Sequence, residues 1–239
     1  HAQIERGVSF SLPTMLECEV AERLIDTIPC AEMVRFVKTG SEACHAAVRI
    51  ARKATGKDGI LVCGYHGWHN WYTATKPQHQ GVPVPMERLV RSFKYNDIVD
   101  LNIQFDVLNC RSGNKGVAAL IMEPTLMEKP DDGYLQMVRE FCAQRGIVLI
   151  FDEMVTGFRF AMAGAQEYFE VVPDLATYGK AMANGYAMAC VAGKRELMEH
   201  GTVVSGTFGG EAVGLAATMA TLNLYDEEWP IWTYQLQLP

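Results

Sequence analysis

Four short runs of mainly apolar residues constrain the fold of this chain more than any other feature. They are residues 60–63, 117–122, 148–151 and 175–178, and helical patterns lie between several of them, notably at 135–145. A strand that is apolar on both sides is typical of a parallel sheet that helices cover on both faces. The sequence therefore predicts an α/β domain with a mainly parallel sheet.

The first fifty-odd residues add two helices and a strand to this pattern. Residues 14–28 have amphipathic spacing after the capping residue Thr14, and residues 41–55 place alanines on one face before Gly56, a suitable helix stop. Residues 33–37 are a strand candidate. Ligands of such sheets bind beyond the carboxyl ends of the strands, so the residues that follow each strand are the candidates for chemistry.

The composition limits the classes of function. A chain of 239 residues can hold one α/β domain with a substantial core or two small domains. Its net charge of −7 argues against binding to nucleic acid, which needs a basic surface. The seven cysteines are scattered, as expected of reduced thiols in the cytoplasm. No apolar run reaches the roughly 18 residues of a membrane span, so we expect a cytoplasmic protein without a membrane contact.

An acid and a lysine suggest the chemistry. Asp152 ends the third apolar run, and Lys180 follows about one strand–helix–strand unit later in a segment of little charge. A carboxylate can keep a pyridine nitrogen protonated, and a lysine can hold an aldehyde as a Schiff base and later move a proton. The pair predicts pyridoxal phosphate as cofactor, with Asp152 and Lys180 as catalytic residues. A phosphotransferase with a metal-binding acid is the competing interpretation, but it requires a Gly-x-x-x-x-Gly-Lys-Ser/Thr loop that this sequence lacks.

A glycine turn before the second helix is a candidate phosphate site. Thr39, Gly40, Ser41 and Glu42 join the strand candidate to the alanine-rich helix. The start of a helix has free N–H groups, and its dipole favours an anion by roughly 0.3–1 kcal/mol. We include Gly40, Ser41 and Glu42 among the cofactor-binding residues. The alternative is a simple helix cap with Glu42 in the first turn.

An aromatic segment follows the run at 60–63. Tyr65 has Gly64 before it and Gly67 two residues after it, so its ring can approach and stack on a flat cofactor, although a tyrosine at the rim of a core is the alternative. His66 is included as a cofactor contact. His66 and His69 could suggest a metal, but no carboxylate or cysteine accompanies them at metal-site spacing, so no metal is predicted.

Residues 206–210 form a last glycine-rich turn before a helical pattern that begins at Ala212. Thr207 in this turn could cap the helix or bring a hydroxyl group to a phosphate. The residues alone do not separate these alternatives.

These segments, in this order, resemble the class III aminotransferases of the fold-type I pyridoxal-phosphate enzymes, and most closely their glutamate-1-semialdehyde aminomutase-like branch. The resemblance covers about residues 5 to 222. The matching segments are 33–43, 65–67, 95–97, 122–124, 151–159, 173–181 and 206–208. The resemblance implies a three-layer large domain, with a mainly parallel sheet and helices on both faces, over residues 1–225. An irregular tail is expected over 226–239.

The resemblance also implies roles for single residues. Gly40 and Ser41 hold the cofactor phosphate, Tyr65 stacks on one face of the ring, Asp152 pairs with the pyridine nitrogen, and Lys180 forms the Schiff base.

Three further roles follow from the same resemblance. Glu123 lies near the O3′ side of the cofactor, and Met154 takes the other ring face, where relatives usually carry valine. Thr207 reaches the phosphate of the neighbouring subunit, which implies a homodimer with two shared sites. After residue 208 the chain reads Gly209-Gly210-Glu211, where aminomutases more often have Gly-Asn-Pro.

The resulting hypothesis is an aminotransferase that moves an amino group from a small amino donor to an oxo acid or aldehyde by a ping-pong exchange. One alternative is an intramolecular amine transfer of the glutamate-1-semialdehyde 2,1-aminomutase type. The other is a cofactor-binding remnant without turnover, because the chain is expected to lack the N-terminal segment and the C-terminal small domain of the family.

Overall fold

The computed structural model describes residues 2–10, 12–76, 81–110 and 115–235. Its strands are β1 (Met33–Val37), β2 (Gly59–Cys63), β3 (Val90–Ser92), β4 (Val117–Met122), β5 (Val148–Asp152), β6 (Leu175–Tyr178) and β7 (Ala189–Gly193). Its α-helices are α1 (Ala2–Arg6), α2 (Met15–Thr27), α3 (Gly40–Thr55), α4 (Asn70–Thr73), α5 (Ile98–Asn109), α6 (Tyr134–Arg145), α7 (Ala165–Tyr168), α8 (Arg195–Met198) and α9 (Ala212–Gln235). Short 3₁₀ helices span Val84–Leu89, Lys180–Ala183 and Glu199–Val203.

The strands form one seven-stranded sheet in the order β1-β7-β6-β5-β4-β2-β3. Strand β7 pairs antiparallel with both of its neighbours, β1 and β6, while the other pairs are parallel. The carboxyl ends of β1, β2, β4, β5 and β6 therefore lie along the same edge. This confirms the predicted mainly parallel sheet.

Successive side chains of the central strands enter two different cores. Ile60 and Ile150 belong to the core that also contains the buried residues of α3. Leu61 and Leu149 belong to a core on the opposite face, with the buried residues of α6. A third core joins β6 and β7 to α2 and α9. Helices thus cover both faces, because each strand buries both of its sides, and the predicted three-layer α/β fold is confirmed.

Helix α3 begins and ends where its sequence predicts. The hydroxyl group of Thr39 accepts the N–H of Glu42, and the Glu42 carboxylate accepts the N–H of Thr39, which together make a capping box. At the other end Gly56 has a φ of 67°, a left-handed conformation that glycine adopts without strain. This defined start of α3 positions the turn described below.

The end of the described chain differs from the prediction. The expected irregular tail over 226–239 is wrong for residues 226–235, because α9 continues to Gln235. The tail has no amphipathic period and contains Pro230, but a helix that has already formed gains a hydrogen bond with almost every residue it adds. Residues 236–239 lie outside the described part. Of the helices that the structure describes, none combines the length and the apolar character needed to cross a bilayer.

Candidate active site

A cleft of about 390 Å³ opens at the carboxyl edge of the sheet. Most of the residues predicted from sequence to bind a cofactor line it, although they come from five different strand ends. They are Gly40, Ser41, Tyr65, His66, Glu123, Asp152, Met154 and Lys180. The other two, Glu42 and Thr207, do not line this cleft.

Asp152 forms the floor of the cleft and is only 2% exposed. Its Oδ1 accepts hydrogen bonds from the backbone N–H of Met154 at 3.1 Å and from the hydroxyl group of Thr177 at 3.3 Å. Its Oδ2 accepts the thiol of Cys44 at 3.2 Å and lies 2.8 Å from Nδ1 of His66. The chain thus supplies four polar partners to one buried carboxylate, as burial of a charge requires.

The ring of His66 is also buried, and each of its nitrogens contacts an oxygen atom. Its Nε2 is 3.1 Å from the carbonyl oxygen of Cys63, and its Nδ1 is 2.8 Å from Oδ2 of Asp152. The ring is therefore held from both sides in one orientation beside the carboxylate.

The types of side chain on this floor are ones that can bind a metal ion. The ligand atoms of Cys44, His66 and Asp152 lie within 4.8 Å of one another. The partners of His66 come from α3 and β5, far from it in sequence, so the spacing of residues near His66 does not indicate them. Protons on the thiol and the imidazole already link the three groups, so the arrangement does not need an ion. The absence of a metal stays a prediction.

Lys180 stands at the wall of the cleft in an unusual backbone conformation. Its φ is 46°, in the left-handed region that costs a residue with a side chain about 1–3 kcal/mol. The preceding Gly179 packs closely on the wall, because a Cβ there would lie 2.8 Å from the sulfur of Met154. Strain of this kind is concentrated at functional sites, where the surrounding structure holds a side chain in one place.

The turn at the start of α3 forms an anion cradle beside Lys180. Thr39 satisfies the N–H of Glu42, which leaves the first N–H groups of the helix, those of Gly40 and Ser41, for an anion. Gly67 packs directly on this turn with a φ of 90°, and a Cβ there would lie 2.2 Å from the Ser41 hydroxyl and 2.8 Å from its Cα. Only glycine allows this approach.

Glu42 takes the capping role that was the alternative in the sequence analysis. Its Oε2 accepts the backbone N–H groups of Lys38 and Thr39, both at 2.9 Å. The carboxylate is thereby directed to the backbone before α3, away from the cleft lining. Its prediction as a cofactor contact has no support in this geometry.

Glu123 and Tyr65 line another part of the cleft and are bonded to each other. The Oε1 of Glu123 accepts the backbone N–H of Tyr65 at 2.6 Å, and burial raises the pKa of Glu123. The ring of Tyr65 is 64% exposed and contacts the edge of Tyr72. One face of the tyrosine can therefore stack on a planar ligand.

Thr207 lies in the turn before α9, apart from the cleft. This turn lines two other pockets, one with Arg35 and one with His45. The structure does not bring Thr207 to Lys180 or Asp152 within the single chain.

Sequence reasoning missed three residues at this site. Cys44 follows Gly40 by one helical turn, so the periodicity of α3 could have placed both on one side. Thr177 is the direct neighbour of Asp152 in the parallel register of β5 and β6. Lys38 lines the cleft and bridges two segments, because its Nζ donates to the carboxylate of Glu211 at 2.8 Å and to the carbonyl of Ala187 at 2.9 Å.

Comparison with known proteins agrees with this geometry. A family model described as class III aminotransferase matches residues 1–232. Glutamate-1-semialdehyde 2,1-aminomutase of Methanothermobacter thermautotrophicus is 40% identical over 94% of the chain, and 3-aminobutyryl-CoA aminotransferase of Cloacimonas acidaminovorans is 38% identical over 93%. The PLP internal aldimine form of FumI from Sphingopyxis sp. MTA144 has a TM-score of 0.85 and 27% identity over 95% of the chain. The chain spans about half of each protein: 56% and 54% of the relatives and 55% of FumI.

Proposed function

Because this chain belongs to the class III aminotransferases, we propose that it carries the cofactor site of an enzyme that moves an amino group between a small amino donor and an oxo acid or aldehyde. Residues 1–225 make up its cofactor-binding domain in this proposal. The observation that carries it is the convergence of Asp152, Lys180 and the Gly40–Ser41 turn in one cleft, although they are far apart in sequence.

Pyridoxal phosphate is the cofactor that the family and the PLP-bound relative indicate. When bound, it supplies an aldehyde and an electron-withdrawing ring. The residues of the cleft fit it, since an anion cradle, a buried acid, a lysine and an exposed aromatic ring line the same space. The N–H groups of Gly40 and Ser41 would bind the phosphate, and Tyr65 and Met154 would pack against the ring.

Asp152 and Glu123 would both orient the ring of the cofactor. Asp152 is held by four donors, so its carboxylate is fixed in place and would pair with the pyridine nitrogen. His66 would act through Asp152. Glu123 is held by the backbone N–H of Tyr65 and would lie near the O3′ side of the cofactor.

Lys180 has two tasks in the proposed reaction. Its Nζ would hold the aldehyde of the cofactor, and the same nitrogen would move a proton at the Cα of the amino donor. The left-handed backbone of Lys180 sets the direction in which its side chain leaves the chain.

The assembly and the compartment belong to the same proposal. A second copy of the chain covers the turn of Thr207, and the Thr207 hydroxyl reaches the phosphate in that neighbouring subunit. The exposed ring of Phe208, beside Thr207, supports a covered surface there. The seven free cysteines support a reducing compartment such as the cytoplasm.

The experiment is a donor screen on the purified 239-residue chain loaded with pyridoxal phosphate. We expect amine transfer from at least one amino donor only when an oxo acid or aldehyde is added. The 40% identical aminomutase favours a second candidate, intramolecular transfer, and turnover of glutamate 1-semialdehyde without an added acceptor identifies it. A bound cofactor without turnover on any donor contradicts both and identifies a binding remnant.

A further inference from the structure

The thiol of Cys44 is the least expected group on the floor of the cleft. Cys44 is 1% exposed and lies on α3, one turn after the anion cradle. Its sulfur is 3.2 Å from Oδ2 of Asp152 and 3.7 Å from the hydroxyl oxygen of Thr177. It therefore has two acceptors within reach.

The thiol acts as a hydrogen-bond donor and not as a nucleophile. Burial, and then the negative charge of Asp152, raise the pKa of Cys44 well above its usual value. A thiol that stays protonated can donate only one hydrogen bond, and a weak one. The shorter contact, to the charged carboxylate, is the one that receives it.

The acceptor capacity of Asp152 is already filled by the chain. A carboxylate has about four lone-pair sites, two on each oxygen. Oδ1 receives Met154 and Thr177, and Oδ2 receives His66 and Cys44. A pyridinium N–H is a fifth donor, so one of these four must give way to it.

The four donors differ in how easily they can leave. The Met154 donor is a backbone group, and the ring of His66 is held from its other side by the carbonyl of Cys63. Thr177 donates to the oxygen that Cys44 does not use. Only the S–H of Cys44 is weak, free to rotate and provided with a second acceptor, the hydroxyl oxygen of Thr177.

We propose that Cys44 is a positioning residue whose S–H turns from Asp152 to Thr177 when a pyridine nitrogen binds, so that the weakness of the thiol sets how tightly Asp152 holds the ring. This inference rests on the proposed function, because it needs a pyridine ring in the cleft. It assigns a role in cofactor recognition to a residue of α3 that acts through Asp152.

The binding test uses pyridoxal phosphate and its 1-deaza analogue, in which a carbon replaces the ring nitrogen. In Cys44→Ala the competing donor is gone, so pyridoxal phosphate binds about two- to tenfold more tightly than in the unchanged chain. In Cys44→Ser a stronger donor competes, so binding weakens by a similar factor. The 1-deaza analogue has no ring N–H that competes with the thiol, so its dissociation constant should change little in either variant.

Cys142 offers a matched control, because it is a fully buried cysteine of α6 in the core on the opposite face of the sheet. Cys142→Ala removes a buried thiol without touching Asp152. We expect this variant to leave unchanged the ratio between the dissociation constants of pyridoxal phosphate and of its 1-deaza analogue. Thermal unfolding of each variant shows that the chains compared are folded.

A second readout follows the bond itself. The infrared S–H stretch assigned to Cys44, by its loss in Cys44→Ser, shifts when pyridoxal phosphate binds and stays in place when the 1-deaza analogue binds. The proposal is overturned if the S–H band does not move, or if Cys44→Ala loses affinity for both ligands equally. In either case the chain still binds pyridoxal phosphate, so the proposed function stands. Failure of the unchanged chain to bind pyridoxal phosphate overturns both.

Discussion

Two glycine turns of this chain are built alike and have different surroundings. Each leads into a helix, each carries a hydroxyl group, and each has a glutamate that accepts backbone N–H groups: Glu42 in the first turn of α3 and Glu211 just before α9. The first turn lies beside Asp152 and Lys180, whereas the second lines two pockets away from them. A glycine turn before a helix therefore predicts an anion site only when it also lies at the edge of the sheet where the other site residues meet.

Lys38 connects the two turns. Its backbone N–H donates to Glu42, and its Nζ donates to Glu211. The first turn is completed by residues of the same chain, while the proposed role of the second depends on another subunit. Variants that affect one turn and spare the other test this difference.

The largest effect is expected for Lys180→Ala, which should lose amine transfer but keep binding of the cofactor. Because the proposed site holds the phosphate with the first turn and the ring with Asp152, Lys180→Ala should still retain pyridoxal phosphate. Loss of the proton-transferring amine should slow amine transfer by about 10²–10⁴-fold. Cofactor content after dialysis and single-turnover rates measure the two quantities. Unimpaired transfer by this variant contradicts the role of Lys180.

A glycine pair contrasts the two turns directly. Gly67→Ala forces a Cβ against the first turn at a φ of 90°, so we expect a loss of about 1–3 kcal/mol in unfolding free energy and weaker binding of pyridoxal phosphate. Gly206→Ala, in the second turn, meets nothing within 4 Å and should change stability by less than about 0.5 kcal/mol. Denaturant unfolding measures both. Equal losses would remove the distinction between the turns.

The two hydroxyl groups should differ in their dependence on protein concentration. Ser41→Ala should weaken binding of pyridoxal phosphate by about two- to tenfold at every concentration, since Ser41 acts within its own chain. Thr207→Ala should have an effect only where the chain is dimeric. Titration of the cofactor at concentrations below and above dimer formation checks this. An effect of Thr207→Ala on a monomer would contradict the proposed partner role.

The smallest expected effect concerns the link between the turns. Burial opposes ionisation of Glu211, but its bonds from Lys38 and from backbone N–H groups lower its pKa overall. Because the pKa is lowered, the ionised carboxylate stabilises the fold at pH values above the ordinary pKa of 4.5. This contribution is lost as the pH falls through the lowered pKa. Glu211→Gln should therefore cost up to about 1 kcal/mol at neutral pH, with the difference from the unchanged chain disappearing in acid.

The exposed ion pair between Arg23 and Asp226 offers the control for that prediction. Asp226→Asn removes a charge whose side chain is half exposed, so its effect on thermal stability should be small at any pH. If the stability loss of Asp226→Asn depended on pH as strongly as that of Glu211→Gln, the bond between Lys38 and Glu211 would contribute no more than an exposed ion pair.

The sequence predicted the parts of the site that follow strand ends. Asp152 and Lys180 could be paired because buried strands end beside each other at one edge of a parallel sheet. Cys44 and Thr177 could not be found this way, since a cysteine among alanines and a threonine in a strand look like ordinary core residues. Glu42 had two interpretations, and only the geometry of the backbone before α3 decided for the cap. The length of α9 was missed because helix elongation needs no periodic pattern.

The central claim is that the nitrogen of Lys180 carries the cofactor. Borohydride reduces a carbon–nitrogen double bond between a lysine and pyridoxal phosphate to a stable amine, and peptide mass mapping then locates the modified lysine. The account predicts one modified peptide, which contains Lys180 and disappears in Lys180→Ala. A label on another lysine, such as Lys38 at the edge of the same cleft, or no label at all, would contradict it.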